Sequence, residues 1–291
     1  MDELTGFLVV DKPRGPTSRD AVNRLQRTLP RGVKLGHTGT LDPMATGVLV
    51  LCLGQATRLA SQVQAMGKGY TATVKLGATS TTDDAEGDIT PVNDTAVSVG
   101  DIEAALLRFT GVIQQAPPAY SAIKVQGQRA YALARRGEGV ELAEREVHVK
   151  SITLDGCVWP ELHLTIECGK GTYIRSLARD IGAVLGCGGH LTALRRTHVG
   201  LFDVQHAVPP EASIETIRAH LRPLRDAVPD WPTLVLNADE ARRYCCGQRL
   251  SLPHLSGDVA VLDAAGKLLG LGRVQDGALH GVLVLAQHSA G

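Results

Sequence analysis

The strongest constraint on the fold is an uninterrupted apolar run at residues 48–53, which directly follows a turn-rich segment at residues 36–47. An apolar run of this length, bounded by turn residues, is typical of a buried strand. The preceding segment reads GHTGTLDPMATG, and its Gly, Thr and Pro residues set or tolerate the backbone angles of turns. It holds one carboxylate, Asp42. An acid on a rigid loop beside a strand is a frequent position for a catalytic or binding residue, and the alternative is a turn aspartate that caps the next element.

Composition narrows the function classes without choosing one. The chain has 291 residues, 44% of them hydrophobic, which is enough for one large domain or two of unequal size. Thirty basic residues balance thirty acidic ones, and aromatic residues make up only 3%, which argues against recognition by many base-stacking platforms. The segment 111–137 holds Lys124, Arg129, Arg135 and Arg136 and no acid. It can neutralise phosphates, and the alternative is a solvated helix face.

No feature of the sequence indicates secretion or a membrane partner. Six cysteines show neither CxxC pairing nor zinc-like Cys/His spacing, which fits a reducing compartment. The N-terminal MDELTGFLVV lacks the regions of a signal peptide, and no apolar run approaches the roughly 20 residues that span a bilayer. We therefore expect a cytoplasmic protein. The sequence also lacks a P-loop, an HExxH motif and a GxSxG elbow, so the chemistries of those motifs are poorly supported.

Hydrophobic periodicity predicts strands and helices in mixed order. A capping box at Thr17 and Asp20 begins a helix that runs through about residue 28, and a polar, acidic loop is expected at 79–94. The other predicted strands are 6–10, 69–76, 147–153 and 161–168, and the other predicted helices are 101–109, a short basic helix at 129–136, and 172 to about 185. Without a strict strand–helix–strand repeat, the predicted class is α+β, with a mixed, largely antiparallel sheet flanked by helices and loops.

Three prolines, Pro223, Pro229 and Pro232, mark a domain boundary between about residues 225 and 236. We expect a first domain over residues 1–230 and a small β-rich domain over residues 236–291. The second domain is predicted to contain one short helix at 239–246 and tight turns at 256–257, 265–266 and 276–277.

The string at residues 36–47 resembles the catalytic loop of the TruB-type tRNA pseudouridine synthases. The resemblance covers most of residues 6–200 through further segments: DKPRGPTS at 11–18, GYTATVKLG at 69–77, PPAYSAIKVQGQRAYALARRG at 117–137, GKGTYIRSLARDIG at 169–182 and GHLTALRRTHVG at 189–200. It implies the pseudouridine-synthase catalytic fold, with an RNA-clamping loop at about residues 114–146. The C-terminal domain resembles the family's PUA-type RNA-binding extension, and a purely structural β cap is the alternative.

The resemblance implies three catalytic residues, Asp42, Tyr70 and Arg175. Asp42 would act as a nucleophile or stabilise positive charge at the sugar, while Arg175 keeps it ionised in a partly dry pocket. Tyr70 would stack on the uracil, although a single strand tyrosine is also typical of core packing. The implied substrate contacts are His37, Tyr173, Leu194, Lys12, Asp84, Lys124, Arg129, Arg135 and Arg136, with no metal site.

Individual roles follow from the same resemblance. His37 would fill the space that the target base leaves, and Leu194 would line the uracil pocket. The family's acidic motif T-D-T-x-D-x-x-G reads STTDDAEG at residues 80–87, so Thr81 replaces its first Asp. Asp84 still matches the second Asp, which supports the active-site arginine, while the other contacts of the loop are less well defined.

The implied reaction breaks the N1 glycosidic bond of uridine, turns the uracil and joins its C5 to the sugar. No atom is gained or lost, so no cofactor is expected, and a stacked target base must be flipped out. The resemblance implies action on uridine 55 of the tRNA T-loop by a stand-alone enzyme with no obligatory protein partner. The sequence does not determine the oligomeric state, and a monomer is the default expectation. Two alternatives are a guide-dependent relative inside an RNA–protein complex and an RNA chaperone without chemistry. The sequence does not decide whether Asp42 attacks the sugar or the base, or which residue removes the C5 proton.

Overall fold

Two β-sheets of unequal size organise the protein, as seen in a computed structural model that describes residues 4–120, 124–125, 128–129, 142–252 and 254–285. The strands are β1 Gly6–Lys12, β2 Leu35–His37, β3 Thr46–Leu53, β4 Lys68–Leu76, β5 Ala78–Ser80, β6 Ile89–Pro91, β7 Gly111–Gln115, β8 Lys124–Val125, β9 Gln128–Arg129, β10 Arg145–Val158, β11 Glu161–Cys168, β12 Gly189–Val199, β13 Phe202–Asp203, β14 Thr233–Val235, β15 Leu250–Ser251, β16 Gly257–Leu262, β17 Leu268–Gln275 and β18 Ala278–Val284. The helices are α1 Ser18–Thr28, α2 Ala60–Ala65, α3 Val99–Leu107, α4 Ile174–Val184, α5 Ile214–His220 and α6 Ala238–Cys245.

The large sheet has the strand order β1-β3-β12-β4-β11-β10-β7, with β2 added to β3 and β13 to β12. Its pairings are antiparallel except for the parallel contact of β12 with β3. The mixed, largely antiparallel sheet predicted from the sequence is therefore confirmed. Strand β3 lies deep inside: Leu49 and Leu51 pack into one apolar cluster and Val48 and Val50 into another, which confirms a strand buried on both faces.

Local signals in the sequence placed most elements of this sheet correctly. The Thr17 capping box is present and begins α1, and β4 buries Tyr70, Ala72 and Val74 on one face as its alternation predicts. The expected loop at 79–94 was wrong in part, because β5 and β6 pair there as a short hairpin. Each of its strands is three residues long and has no buried residue, so the hairpin carries no hydrophobic alternation in the sequence.

The predicted basic helix at 129–136 was wrong at its first residue, since Arg129 lies in β9, which pairs with β8. Residues 130–136, including Arg135 and Arg136, lie outside the described part of the chain.

The C-terminal module, defined here as residues 233–285, contains a second sheet with the order β14-β16-β17-β18-β15, and α6 packs on it. This confirms a small β-rich unit with one short helix. One of its buried residues, Leu271, shares an apolar cluster with Phe7 and Val50 of the large sheet, so the two sheets pack against each other. The division of the chain into domains at 225–236 stays a prediction, and β14 lies inside that interval.

Within the described ranges, no helix combines the length and the apolar character that crossing a membrane requires.

Candidate active site

One cleft of about 570 Å³, called the catalytic cleft below, is lined by all three residues predicted to be catalytic. Asp42 lies in the loop between β2 and β3, Tyr70 on β4, and Arg175 in the first turn of α4. Leu194 on β12 and Tyr173, the residue that precedes α4, also line it. Because β12 lies between β3 and β4 in the sheet, residues far apart in the sequence meet at one place.

Arg175 holds the carboxylate of Asp42 at the centre of this cleft. Its Nε lies 2.9 Å from Asp42 Oδ2, and its Nη1 lies 3.3 Å from Asp84 Oδ2. Two carbonyl oxygens complete its environment: Nη1 donates to Thr82 and Nη2 to Tyr120, each at 3.0 Å. The Arg175 side chain is 6% exposed while that of Asp42 is 35% exposed, so the fixed cation lies beneath an accessible carboxylate.

Burial in the cleft raises the pKa of Asp42 above the ordinary aspartate value of 3.8. The positive charge of Arg175 opposes this shift, and the negative charge of Asp84 adds to it. The carboxylate is thus less hydrated than a surface aspartate and depends on Arg175 to stay ionised. Such a carboxylate suits attack on carbon or stabilisation of positive charge at a sugar.

Lys12 supports the loop that carries Asp42 from behind. Its Nζ donates to the carbonyl oxygens of Pro13, Pro16 and Pro43 at 2.9, 2.8 and 3.3 Å. The side chain is fully buried, and this burial lowers the pKa of Lys12 to about 8. The Lys12 ammonium group has no exposed surface and three carbonyl partners, so it positions the loop, while its predicted substrate contact stays a prediction.

Tyr70 and Leu194 contribute an aromatic ring and an apolar side chain to the lining of the cleft. They are 7% and 8% exposed. Burial raises the pKa of the Tyr70 hydroxyl above 10, so the phenol stays protonated at neutral pH. An aromatic ring and a leucine side chain arranged in this way match the flat face of a pyrimidine.

Sequence reasoning missed the residues that fix Tyr173. The backbone of Tyr173 donates to Gln115 Oε1 at 2.8 Å, and Gln115 Nε2 donates to the Tyr173 carbonyl at 3.1 Å. The guanidinium of Arg145 lies over the Tyr173 ring, 4.9 Å from its centroid. No local signal marks Gln115, which lies 58 residues from Tyr173 in the sequence.

Two further cations at the cleft were also missed, Arg196 and Lys68. Arg196 is buried, and it donates to the carbonyl oxygens of Val48 at 2.7 Å and Gly39 at 3.2 Å. It therefore ties the catalytic loop to β12. The alternating pattern of β12 is the only signal that could have indicated that this arginine points inward.

The acidic motif at residues 80–87 forms two ion pairs with helix α4. Asp84 reaches Arg175, as the resemblance implies, and Asp83 Oδ2 lies 2.9 Å from Arg179 Nη1. Asp83 has a φ of 62°, in the left-handed region that non-glycine residues adopt at a cost. Thr81, which departs from the family motif, accepts a hydrogen bond from the Asp88 backbone at 3.0 Å and so still orders the loop.

His37 lies on β2, opposite Leu51 of β3, and does not line the catalytic cleft. Burial lowers the pKa of its imidazole, so the ring is neutral at pH 7, and its Nδ1 is buried without a hydrogen-bond partner among the described residues. The predicted RNA contact of His37 stays a prediction. For Lys124 and Arg129 the structure describes only the strands that contain them. Separately, in the described ranges no group of three or more His, Cys, Asp or Glu side chains is arranged to hold a metal ion.

The fold and the cleft together define a class of protein, the pseudouridine synthases. A solved structure, "Crystal Structure of a Cbf5-Nop10-Gar1 Complex", superposes with a TM-score of 0.75 at 25% sequence identity, covering 97% of this chain and 85% of that chain. A model of the TruB family pseudouridylate synthase N-terminal domain matches residues 26–174. Models of two C-terminal domains, "tRNA pseudouridylate synthase B C-terminal domain" and "Pseudouridine synthase II TruB, C-terminal", match residues 175–228 and 232–283.

Two curated relatives agree with this over nearly the whole chain. The tRNA pseudouridine synthase B of Burkholderia mallei (strain NCTC 10247) is 43% identical over 288 residues, which cover 95% of each chain. The protein of the same name from Xanthomonas campestris pv. campestris (strain 8004) is 45% identical over 287 residues, covering 95% of this chain and 92% of that one. The chain belongs to the TruB family of pseudouridylate synthases.

Proposed function

We propose that this protein converts uridine 55 in the T-loop of tRNA into pseudouridine, as a stand-alone enzyme without a cofactor. Membership of the TruB family supports an isomerase that acts on tRNA. The observation that carries the catalytic part is the ion pair of Asp42 with the buried Arg175, at 2.9 Å, in a cleft beside Tyr70 and Leu194.

The substrate uridine enters the catalytic cleft by leaving its stack in the RNA loop. The cleft volume of about 570 Å³ falls in the range of small-ligand pockets and accommodates one nucleotide. Tyr70 and Leu194 contact the uracil faces and replace part of the stacking that the base loses. The rigid attachment of Tyr173 to Gln115 keeps the opposite side of the cleft in place.

Asp42 then acts on the flipped nucleotide. The N1–C1′ bond breaks, the uracil turns, and C5 bonds to C1′, while one proton leaves C5 and one is taken up at N1. Attack of Asp42 on the sugar and attack on the base need the same carboxylate, and Arg175 keeps it ionised against the effect of burial. Because the Tyr70 phenol stays protonated, stacking or proton donation suits it better than proton abstraction.

A guide-dependent enzyme inside an RNA–protein complex is the second candidate. It is favoured by the structural similarity to a protein solved in a Cbf5-Nop10-Gar1 complex. Against it, the identity is 25% to that protein but 43% and 45% to the two tRNA pseudouridine synthases B, over 95% of this chain. We therefore prefer the stand-alone enzyme.

The test uses purified protein and an unmodified tRNA transcript, with no added metal, guide RNA or partner. Pseudouridine is mapped across the transcript, and a control transcript carries cytidine at position 55. Product at position 55 alone, and none with the control, is the expected result. Tight binding of the tRNA without product would contradict the proposal and favour the guide-dependent or chaperone function.

A further inference from the structure

The catalytic cleft lies between two cavities of opposite charge. On one side, a cavity of about 500 Å³ shares Asp42 and Arg175 with the cleft. On the other side, a cavity of about 470 Å³ shares Lys68 and Arg145 with it. We call the acids of the first cavity the acidic wall and the cations of the second the basic wall. The acidic wall consists of Asp84, Glu86 and Asp88, and the basic wall of Lys68, Arg145 and Lys170.

Among the described residues, the cavity of the acidic wall has no unpaired positive charge to offer a phosphate. Arg175 is the one cation that lines it in the described ranges, and it is already in contact with both Asp42 and Asp84. Glu86 and Asp88 add two further negative charges to the same cavity. A phosphodiester on this side would meet a net negative field, which costs free energy when water is partly excluded.

The basic wall has the opposite property, because its charges are not neutralised. Lys68 Nζ donates to the carbonyl oxygens of Gln64 and Met66 at 2.9 and 2.8 Å, and Arg145 Nη2 donates to that of Gly171 at 2.6 Å. In the part of the chain that the structure describes, neither these two cations nor Lys170 forms an ion pair with a carboxylate. The cavity contains one acid, the exposed Glu146.

Two observations favour an anionic ligand beside the basic wall. Arg145 Nε is buried and has no hydrogen-bond partner among the described residues. Burial, together with the positive charges of Arg196 and Lys170, lowers the pKa of Lys68 to about 8. A bound phosphate would pair with the Arg145 guanidinium, which lines the cavity, and stabilise the charged form of Lys68.

We propose that the basic wall of Lys68, Arg145 and Lys170 binds the backbone phosphates of the RNA strand beside the flipped uridine, while the acidic wall excludes them. This fixes the side of the cleft on which the strand passes. Phosphate contacts of this kind determine the register and orientation of a nucleic acid rather than its sequence. The inference rests on the proposed function, because it takes RNA as the ligand.

The first test is Lys170→Ala, since Lys170 is exposed and lies outside the catalytic groups. The dissociation constant of a T-stem-loop RNA is measured over a salt series. We expect binding about three- to fivefold weaker at low salt, and a slope of log K against log salt reduced by about 0.7–0.9, as for one lost phosphate contact. The matched control is Lys75→Ala, an exposed lysine at the other end of β4 that lines neither cavity, and it should bind like the wild type.

The second test neutralises the RNA instead of the protein. A single methylphosphonate is placed at each phosphate flanking the target uridine in turn. At one position it should weaken binding by the wild type about three- to fivefold and leave Lys170→Ala unchanged, because both changes remove the same contact. The inference would be overturned if Lys170→Ala bound the RNA with wild-type affinity and salt slope. It would also be overturned if Lys170→Ala and Lys75→Ala lost RNA affinity equally. The two proposals fail separately: absence of pseudouridine with the wild type refutes the function, whereas product with an unaffected Lys170→Ala refutes only the basic wall.

Discussion

The large sheet and the C-terminal module place their polar groups differently. The large sheet and the elements packed on it bury the charged side chains of Lys12, Asp84, Arg175 and Arg196 in and around the catalytic cleft. In the described part of the C-terminal module no charged side chain is buried, and its core contains one large polar residue, Tyr244, whose hydroxyl donates to the Leu271 carbonyl at 3.0 Å.

This difference indicates that the buried charges near the cleft serve catalysis, whereas the apolar core of the C-terminal module serves stability. Removing charges from water costs several kcal/mol per ion, and pairing repays that cost only when the geometry is good. The cleft accepts this cost because the buried cations hold Asp42 and its loop in place. The C-terminal module gains its stability from apolar packing, so changes there should affect folding more than catalysis.

The largest effect among the residues that hold Asp42 is expected for Arg175→Met. The variant removes the cation beneath Asp42 and leaves Asp84 buried without this partner. We expect pseudouridine formation to fall by about a thousandfold, as for loss of a preorganised electrostatic group. The free energy of unfolding should fall by about 3–5 kcal/mol. Single-turnover rates and urea unfolding measure the two effects. A wild-type rate for Arg175→Met would show that Arg175 is not needed for catalysis by Asp42.

A smaller loss is expected for Arg179→Gln, one helical turn further along α4. Arg179 pairs with Asp83, which has a positive φ, so the loop that contains Asp84 loses one of its two ion pairs with the helix. The rate at saturating RNA should fall about tenfold, because Asp84 and Arg175 are displaced rather than removed. Exchanging the pair, with Asp83→Arg and Arg179→Asp together, should restore part of the rate. A rate unchanged by Arg179→Gln would show that Arg175 alone orders the loop.

The pH dependence of the rate tests the state of Asp42. Its folded-state pKa lies above 3.8, so the carboxylate is protonated at a higher pH than an ordinary aspartate and the acid limb of the rate should lie above that value. Because burial raises this pKa, the ionised form costs stability at neutral pH. Asp42→Asn should therefore be at least as stable as the wild type at pH 7, as measured by urea unfolding. A clear loss of stability in Asp42→Asn would mean that Asp42 stabilises the fold, contrary to the view that the buried charges near the cleft serve catalysis at a cost in stability.

The smallest effect is expected in the C-terminal module, for Tyr244→Phe. The change leaves the buried Leu271 carbonyl without its hydroxyl donor and should lower the free energy of unfolding by about 1–2 kcal/mol. Pseudouridine formation at saturating RNA should stay at the wild-type rate. A variant that folds like the wild type but forms product more slowly would show that the module takes part in catalysis.

The sequence predicted the groups that stand in strong local patterns. The apolar run of β3, the capping box of α1 and the alternation of β4 are properties of neighbouring residues, and each was confirmed. The motif match placed Asp42 and Arg175 in one site because a long string identifies a family and not merely a turn. Their close approach, at 2.9 Å across 133 residues, is visible only in the fold.

Residues whose role depends on distant partners could not be predicted. Gln115 has meaning only because Tyr173 lies beside it, and the burial of Lys12 depends on the carbonyl oxygens of three prolines. The hairpin of β5 and β6 consists of two three-residue strands without a buried residue, so hydrophobic periodicity could not reveal it. The net charge of the chain was also uninformative. It is zero for the whole sequence, whereas the acidic wall and the basic wall beside the cleft carry opposite charges.

The most direct test of the central claim is single-turnover pseudouridine formation by Asp42→Asn on an unmodified tRNA transcript, with enzyme in excess and tRNA binding measured in parallel. We expect Asp42→Asn to bind the tRNA with an affinity within about twofold of the wild type. We expect its rate of pseudouridine formation at position 55 to be lower by about four or more orders of magnitude, as for loss of an essential nucleophile. Product formed by Asp42→Asn at a rate near that of the wild type would contradict the assignment of the chemistry to the carboxylate that Arg175 holds.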